Sequence, residues 1–142
     1  MNYFEICYKS VIKKEGGYVN DPDDAGGMTY KGISRKYNPK FGGWAVVDNY
    51  LKTFGSPTAQ FKAALDRNEV LQNLVKKYYK ANYWDVLRLD ECKSFKVCNQ
   101  MFDMCVNAGK SRAIKLAQSV LGMKETGVAT EEFYKKLFAI KN

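Results

Sequence analysis

Phe4, Tyr8, Val11 and Ile12 recur at three- and four-residue intervals, and Glu15 continues the same stripe. The opening of the chain therefore predicts a helix that the Gly16-Gly17 pair stops, with Glu15 on its apolar side at the C-terminal end. From Tyr18 to Gly43 the periodicity vanishes. Gly, Asp, Asn and Pro dominate, interrupted by short β-capable pieces, Met28-Thr29-Tyr30 and Gly32-Ile33-Ser34, so this stretch predicts a loop with a small hairpin. Ser56-Pro57 reads as a helix start with the serine as N-cap, and helical pattern continues, with breaks, to Tyr83-Trp84. Ser94 is expected to cap a helix whose stripe is Phe95, Cys98, Phe102 and Cys105 or Val106, ending at Gly109. Ser111 opens an amphipathic helix through Ile114, Ala117 and Leu121 to Gly122. Thr130 caps a last one carrying Phe133, Leu137 and Ile140. The pattern predicts a mostly helical α+β chain with a small β element, without internal repeat or low-complexity linker.

A length of 142 residues with 46% apolar residues suits one compact unit, with room for two lobes. The net charge of +8 favours a polyanionic partner, whether nucleic acid, anionic lipid or bacterial wall, and does not choose among them. Met1 to Ile6 lacks the basic and long apolar segments of a secretory signal, and no stretch approaches a membrane span. The expectation is cytoplasmic synthesis without stable membrane insertion. Cys7, Cys92, Cys98 and Cys105 form no CxxC pair and are expected as buried thiols instead of a disulfide framework or zinc site. The chain holds no histidine, which removes Ser-His-Asp triads, Cys-His dyads and His-containing metal sites, so hydrolysis must run on carboxylates, lysine or cysteine.

The sharpest feature is Glu15-Gly16-Gly17-Tyr18 followed by Asp24-Ala25-Gly26-Gly27-Met28-Thr29-Tyr30-Lys31-Gly32-Ile33. A glycosidase needs a carboxylic acid still protonated near neutral pH, and an apolar helix face together with the carbonyl end of a helix disfavours the charged form. Two glycines after the acid keep side chains out of the space a sugar ring must enter. The plainer alternative is a solvated glutamate at a helix end. Asp21, Asp23 and Asp24 offer a second carboxylate, or simply a turn. A calcium loop starting at Asp21 fails because Ala25 and Gly32 stand at ligand positions, and Gly109-Lys110-Ser111 fails as a phosphate loop because Met104 replaces its first glycine.

The block from Glu15 to Ile33 resembles the N-terminal motif of glycoside hydrolase family 108, a group of phage-type and bacterial lysozymes. The match runs position by position at Glu15, Gly16, Gly17, Tyr18, Asp24, Gly26, Gly27, Thr29, Gly32 and Ile33. Tyr79 to Trp84 is similar to the aromatic ending of the family's catalytic half. Asp103 to Gly122 resembles its peptidoglycan-binding segment, with Asp103, Asn107, Gly109, Ala117, Gln118 and Leu121 in place; Thr126-Gly127 departs from the usual Asp-Gly pair. The resemblance implies a lysozyme-like fold with a small β-hairpin lobe. Residues 1–86 would be the catalytic region and 87–142 a helical peptidoglycan-binding segment, packed as one globular unit.

It also implies an N-acetylmuramidase cleaving the β-1,4 bond between N-acetylmuramic acid and N-acetylglucosamine, with Glu15 as general acid and Asp24 and Thr29 beside it. Tyr18 and Tyr30 are expected to contact sugar, with core packing as the alternative for each ring, and Asn107 to bond an acetamido group. The expected partner is the peptidoglycan glycan strand, met by a monomeric endolysin without cofactor or metal, released to the wall through a partner pore protein. Its rivals are a lytic transglycosylase using the same glutamate, a non-catalytic wall-binding protein, and a basic helical nucleic-acid-binding module. The last is disfavoured because the lysines are scattered over many segments.

Overall fold

The computed structural model describes residues 2–24 and 27–141; Ala25 and Gly26 of the glycine-rich block lie outside the described residues. Helix α1 spans Tyr3–Ile12 and buries Phe4, Cys7 and Val11. It ends earlier than its stripe predicts. Lys13 and Lys14 are exposed, so no burial offsets the entropy of another helical turn beside two glycines. Glu15 thus sits in the turn after the helix, where its amide donates to the Ile12 carbonyl at 3.2 Å.

The chain then forms a three-stranded antiparallel sheet, β1 (Tyr18–Asn20), β2 (Met28–Tyr30) and β3 (Ile33–Ser34), in the order β1-β2-β3. Tyr18 pairs with Tyr30 and Val19 with Thr29, while Tyr30 pairs with Ile33 and Thr29 with Ser34. The hairpin between β2 and β3 is expected from sequence; β1 is an addition to it. Its two-residue turn puts Lys31 at φ 45° and Gly32 at φ 81°, the left-handed backbone that mirror-image hairpin turns require.

Helix α2 (Gly43–Phe54) occupies a stretch that carries no helix in the sequence reading. Its first residue must be glycine, because a Cβ on Gly43 would overlap the Phe41 ring and approach Leu71 Cδ1 to 2.8 Å. Helix α3 (Ala59–Arg67) is capped by Thr58, which accepts from the Phe61 amide at 3.2 Å, and not by Ser56. Helix α4 (Glu69–Tyr79) follows, with Asn68 Oδ1 accepting from the Leu71 amide at 2.8 Å. A π turn (Lys80–Trp84) and two 3₁₀ turns (Asp85–Leu87 and Leu89–Glu91) lead to α5 (Phe95–Ala108), α6 (Lys110–Val120) and α7 (Glu131–Phe138). Ser94 and Thr130 cap α5 and α7 as expected. Helix α6 starts instead at Gly109, whose φ of 94° suits glycine, and Ser111 lies inside its first turn. A mostly helical α+β architecture of lysozyme type, with a small sheet, is therefore the observed fold class. Among the described residues no helix is long and apolar enough to cross a membrane.

Contacts group the chain into two compact units, residues 12–78 and residues 1–11 with 79–142. The first has a core of Tyr18, Tyr30, Ile33, Trp44, Val47, Phe61, Leu65, Leu71 and Val75. The second is built on Phe4, Trp84, Leu87, Phe102, Ile114 and Phe133, with Phe4, Trp84 and Phe102 meeting edge to face at 5.3 to 5.8 Å between centroids. All four cysteines are free thiols buried in this second unit. Burial pushes the thiols of Cys7 and Cys105 up to about 11.

Candidate functional site

Glu15 is half-buried, and the two residues after it carry no side chain. Gly16 has nothing within 4 Å of the place a Cβ would take. Neither Gly16 nor Gly17 has the left-handed backbone seen at Gly27 and Gly32, so the turn does not need glycine for conformation there. Gly16 therefore leaves open space beside the acid.

Strand alternation divides the sheet into two faces. Tyr18, Tyr30 and Ile33 face the core, whereas Val19, Thr29 and Ser34 occupy the opposite face, Val19 being 49% exposed and Thr29 and Ser34 half-buried. Both tyrosines pack in the core, which is the alternative the sequence leaves open for each ring. Tyr18 is buried and meets the Phe61 ring edge to face at 5.0 Å. Tyr30 is wholly buried. Apolar ring area is more stabilising in the core of so small a sheet than on its surface.

The Tyr30 hydroxyl anchors a polar network that local sequence does not reveal. It donates to Asp66 Oδ1 of α3 at 2.7 Å and accepts from Gln72 Nε2 of α4 at 2.9 Å. Gln72 Nε2 also donates to the Leu65 carbonyl at 2.9 Å, and Lys31 Nζ donates to Gln72 Oε1 at 2.6 Å. Lys31, with its left-handed backbone, is thus bonded to α4 from the hairpin turn. Asp66 itself is exposed, and a Cβ on Gly17 would lie 3.6 Å from each of its carboxylate oxygens. A second acid consequently stands beside the Glu15-Gly16-Gly17 turn. Its neighbours in space are 36 and 49 positions away in the chain, and the only sequence signal was a polar position next to buried Leu65.

Asp24 is exposed in the turn between β1 and β2. Its amide donates to the Asp21 carbonyl at 3.1 Å and its own carbonyl accepts from the Gly27 amide at 3.0 Å, while Asp21 Oδ1 accepts from the Asp23 amide at 2.9 Å. Asn107 belongs to the other unit, exposed near the end of α5, where its Nδ2 donates to the Asp103 carbonyl at 2.9 Å. In that unit the buried Gln118 organises the Thr126-Gly127 loop: Nε2 donates to Thr126 Oγ1 at 3.0 Å and the Val128 carbonyl at 3.1 Å, and Oε1 accepts from the Gly127 amide at 3.0 Å. Thr126 supplies an oxygen there, so the departure from Asp-Gly leaves a bonded loop.

Among solved structures the chain is similar to that of Brucella abortus SagA, with 24% identity and a TM-score of 0.57 over 96% of this chain and 69% of that one. This likeness concerns the fold. No curated protein matches the chain. The model of the family Glycosyl hydrolase 108 matches residues 8–109, which include Glu15, the whole sheet, α2 to α4 and α5. That match takes in most of the chain, and this protein therefore belongs to the glycosyl hydrolase 108 family.

Proposed function

We propose that this protein is an N-acetylmuramidase, cleaving the β-1,4 bond between N-acetylmuramic acid and N-acetylglucosamine with Glu15 as the proton donor. Family membership makes it a glycoside hydrolase and points to peptidoglycan as the polymer attacked. The observation that carries the assignment of Glu15 is its place: a half-buried carboxyl opening a turn whose next two residues are bare glycines. Such a carboxyl can reach a glycosidic oxygen while the sugar ring passes over the glycines. Thr29, on the face of the sheet opposite the core, supplies a hydroxyl to a sugar or a water.

Asp24, placed in an exposed turn by its backbone bonds, is given the role of shaping that turn. The α5 to α7 segment and Asn107 are assigned to contact with the glycan strand, and the net charge of +8 to attraction by the anionic wall. The setting is a bacterial wall. The test is lysis of purified walls by the chain and by Glu15→Gln, with mass spectrometry of the products. Glu15→Gln keeps size but has no proton to transfer, so at least ~100-fold loss is expected with melting temperature at or above wild type. Reducing-end sugars are expected; anhydro-muramyl ends would identify a lytic transglycosylase, and activity within a few-fold of wild type would remove Glu15 from the mechanism.

A further inference from the structure

We propose that Asp66 is the second carboxylate of the hydrolytic site, the base that takes a proton from the attacking water; this rests on Glu15 being the acid. Gly17 supplies the first argument. A side chain there would rest on both carboxylate oxygens of Asp66, 3.6 Å from its Cβ, and Gly17 is not held in the left-handed region that would itself call for glycine. What the missing side chain clears is the approach to Asp66, two residues after Glu15.

The second argument is the support given to an exposed side chain. Asp66 lies in the last turn of α3, where the carbonyl end of the helix dipole disfavours negative charge. A carboxylate placed there for solubility would not need a wholly buried tyrosine to hold it, yet Tyr30 donates to Oδ1 at 2.7 Å. That hydroxyl accepts from Gln72 Nε2, and Gln72 Oε1 in turn accepts from Lys31 Nζ. A hydroxyl that accepts one hydrogen bond is polarised to donate a stronger one, so the chain running back to Lys31 Nζ fixes the orientation of the carboxylate. Oδ1 is tied to the tyrosine, and Oδ2 is the atom for a water.

In the step this allows, Asp66 Oδ2 takes one proton of the water as its oxygen bonds to the anomeric carbon. The glycosidic C–O bond breaks, its electron pair passes to the leaving oxygen, and that oxygen takes the proton of Glu15. The anomeric configuration inverts, and the two carboxyl groups regain their starting protonation states by exchange with solvent.

The experiment compares wild type, Asp66→Asn and Glu15→Gln by reducing-end release from purified walls, with wall pelleting and melting temperature as controls, and records the anomer first released by wild type. Asp66→Asn is expected to lose at least ~100-fold in kcat with KM within a few-fold, and to lose the acid limb of the pH-rate profile, which a merely structural role would leave in place. The nascent reducing end should be the α anomer. Asp66→Asn within about tenfold of wild type, or a β anomer at the nascent end, overturns the proposal; if the variant fails to fold, the anomer decides. An inert Glu15→Gln beside an active Asp66→Asn overturns this proposal alone, whereas an active Glu15→Gln overturns the acid assignment and this one with it.

Discussion

Tyr30 of β2 and Asp66 of α3 meet in a 2.7 Å hydrogen bond between residues 36 apart, fastening the sheet to the helices beside the glycine turn. Tyr30→Phe removes that donor and the acceptor for Gln72 Nε2. Gln72 keeps its bond to the Leu65 carbonyl, and the exposed Asp66 can turn to water. The stability loss should therefore be about 1 kcal/mol, a fall of a few degrees in calorimetric melting temperature. Wall hydrolysis well below that temperature should drop further than this loss explains, by about tenfold, because Asp66 loses its fixed orientation. An unchanged rate would confine the hydroxyl to packing.

Acid should weaken one specific link in the same unit. Arg35 Nη1 and Nη2 donate to the two Asp48 oxygens at 2.6 and 2.8 Å, and these hydrogen bonds hold the Asp48 carboxyl below the usual carboxylate range. A carboxyl whose value is depressed by folding adds stability above its unfolded value, near ~3.9, and that contribution disappears as pH falls through the lower folded value. Both side chains are well exposed, 37% and 50%, so the pair contributes less than about 1 kcal/mol. Asp48→Asn should lower the melting temperature slightly at pH 7, and the gap from wild type should close below about pH 4. A gap that stays constant down to pH 2 would mean the pair is not what the substitution disturbs.

The elements legible in the sequence were those whose signals are local. Ser94 and Thr130 each stand three residues before the amide they accept from, and the stripe of α5 repeats over several turns. Strand β1 is only three residues long, too short to display alternation, and it becomes a strand because Tyr18 finds Tyr30 and Phe61. The buried stripe of α2, Trp44 and Val47, was present but begins at a glycine pair that reads as a loop. The acid and its glycines were visible because they are contiguous. Whether Tyr18 and Tyr30 would face sugar or core was not, since Phe61, Asp66 and Gln72 decide it from more than 30 residues away.

The surplus of basic residues should act on the polymer and not on the bond cleaved. With a net charge of +8, binding to purified walls should weaken steeply as salt is raised from about 0.05 to 0.5 M, over which the screening length shrinks to a few ångström. Cleavage of a short neutral chito-oligosaccharide should change little over the same range. Pelleting assays and product release measure the two separately, and equal salt sensitivity would place the basic surface at the site of cleavage itself.

Asp24 tests the division of labour between the two candidate second acids. Its backbone accounts for its place in the turn, donating to the Asp21 carbonyl and accepting from the Gly27 amide, and asparagine would keep both bonds and the side-chain size. Asp24→Asn should then reduce wall hydrolysis by less than about tenfold, with a modest change in melting temperature. Were Asp24 the base that activates water, the loss would approach that of Glu15→Gln, at least ~100-fold, with little change in wall pelleting. Rates for Asp24→Asn, Asp66→Asn and Glu15→Gln, taken on the same wall preparation at one pH, separate these outcomes. A rate near that of Glu15→Gln for Asp24→Asn, beside a nearly active Asp66→Asn, would move the base from the end of α3 to the turn between β1 and β2. The network joining Lys31, Gln72 and Tyr30 would then serve only to brace the hairpin against the helices.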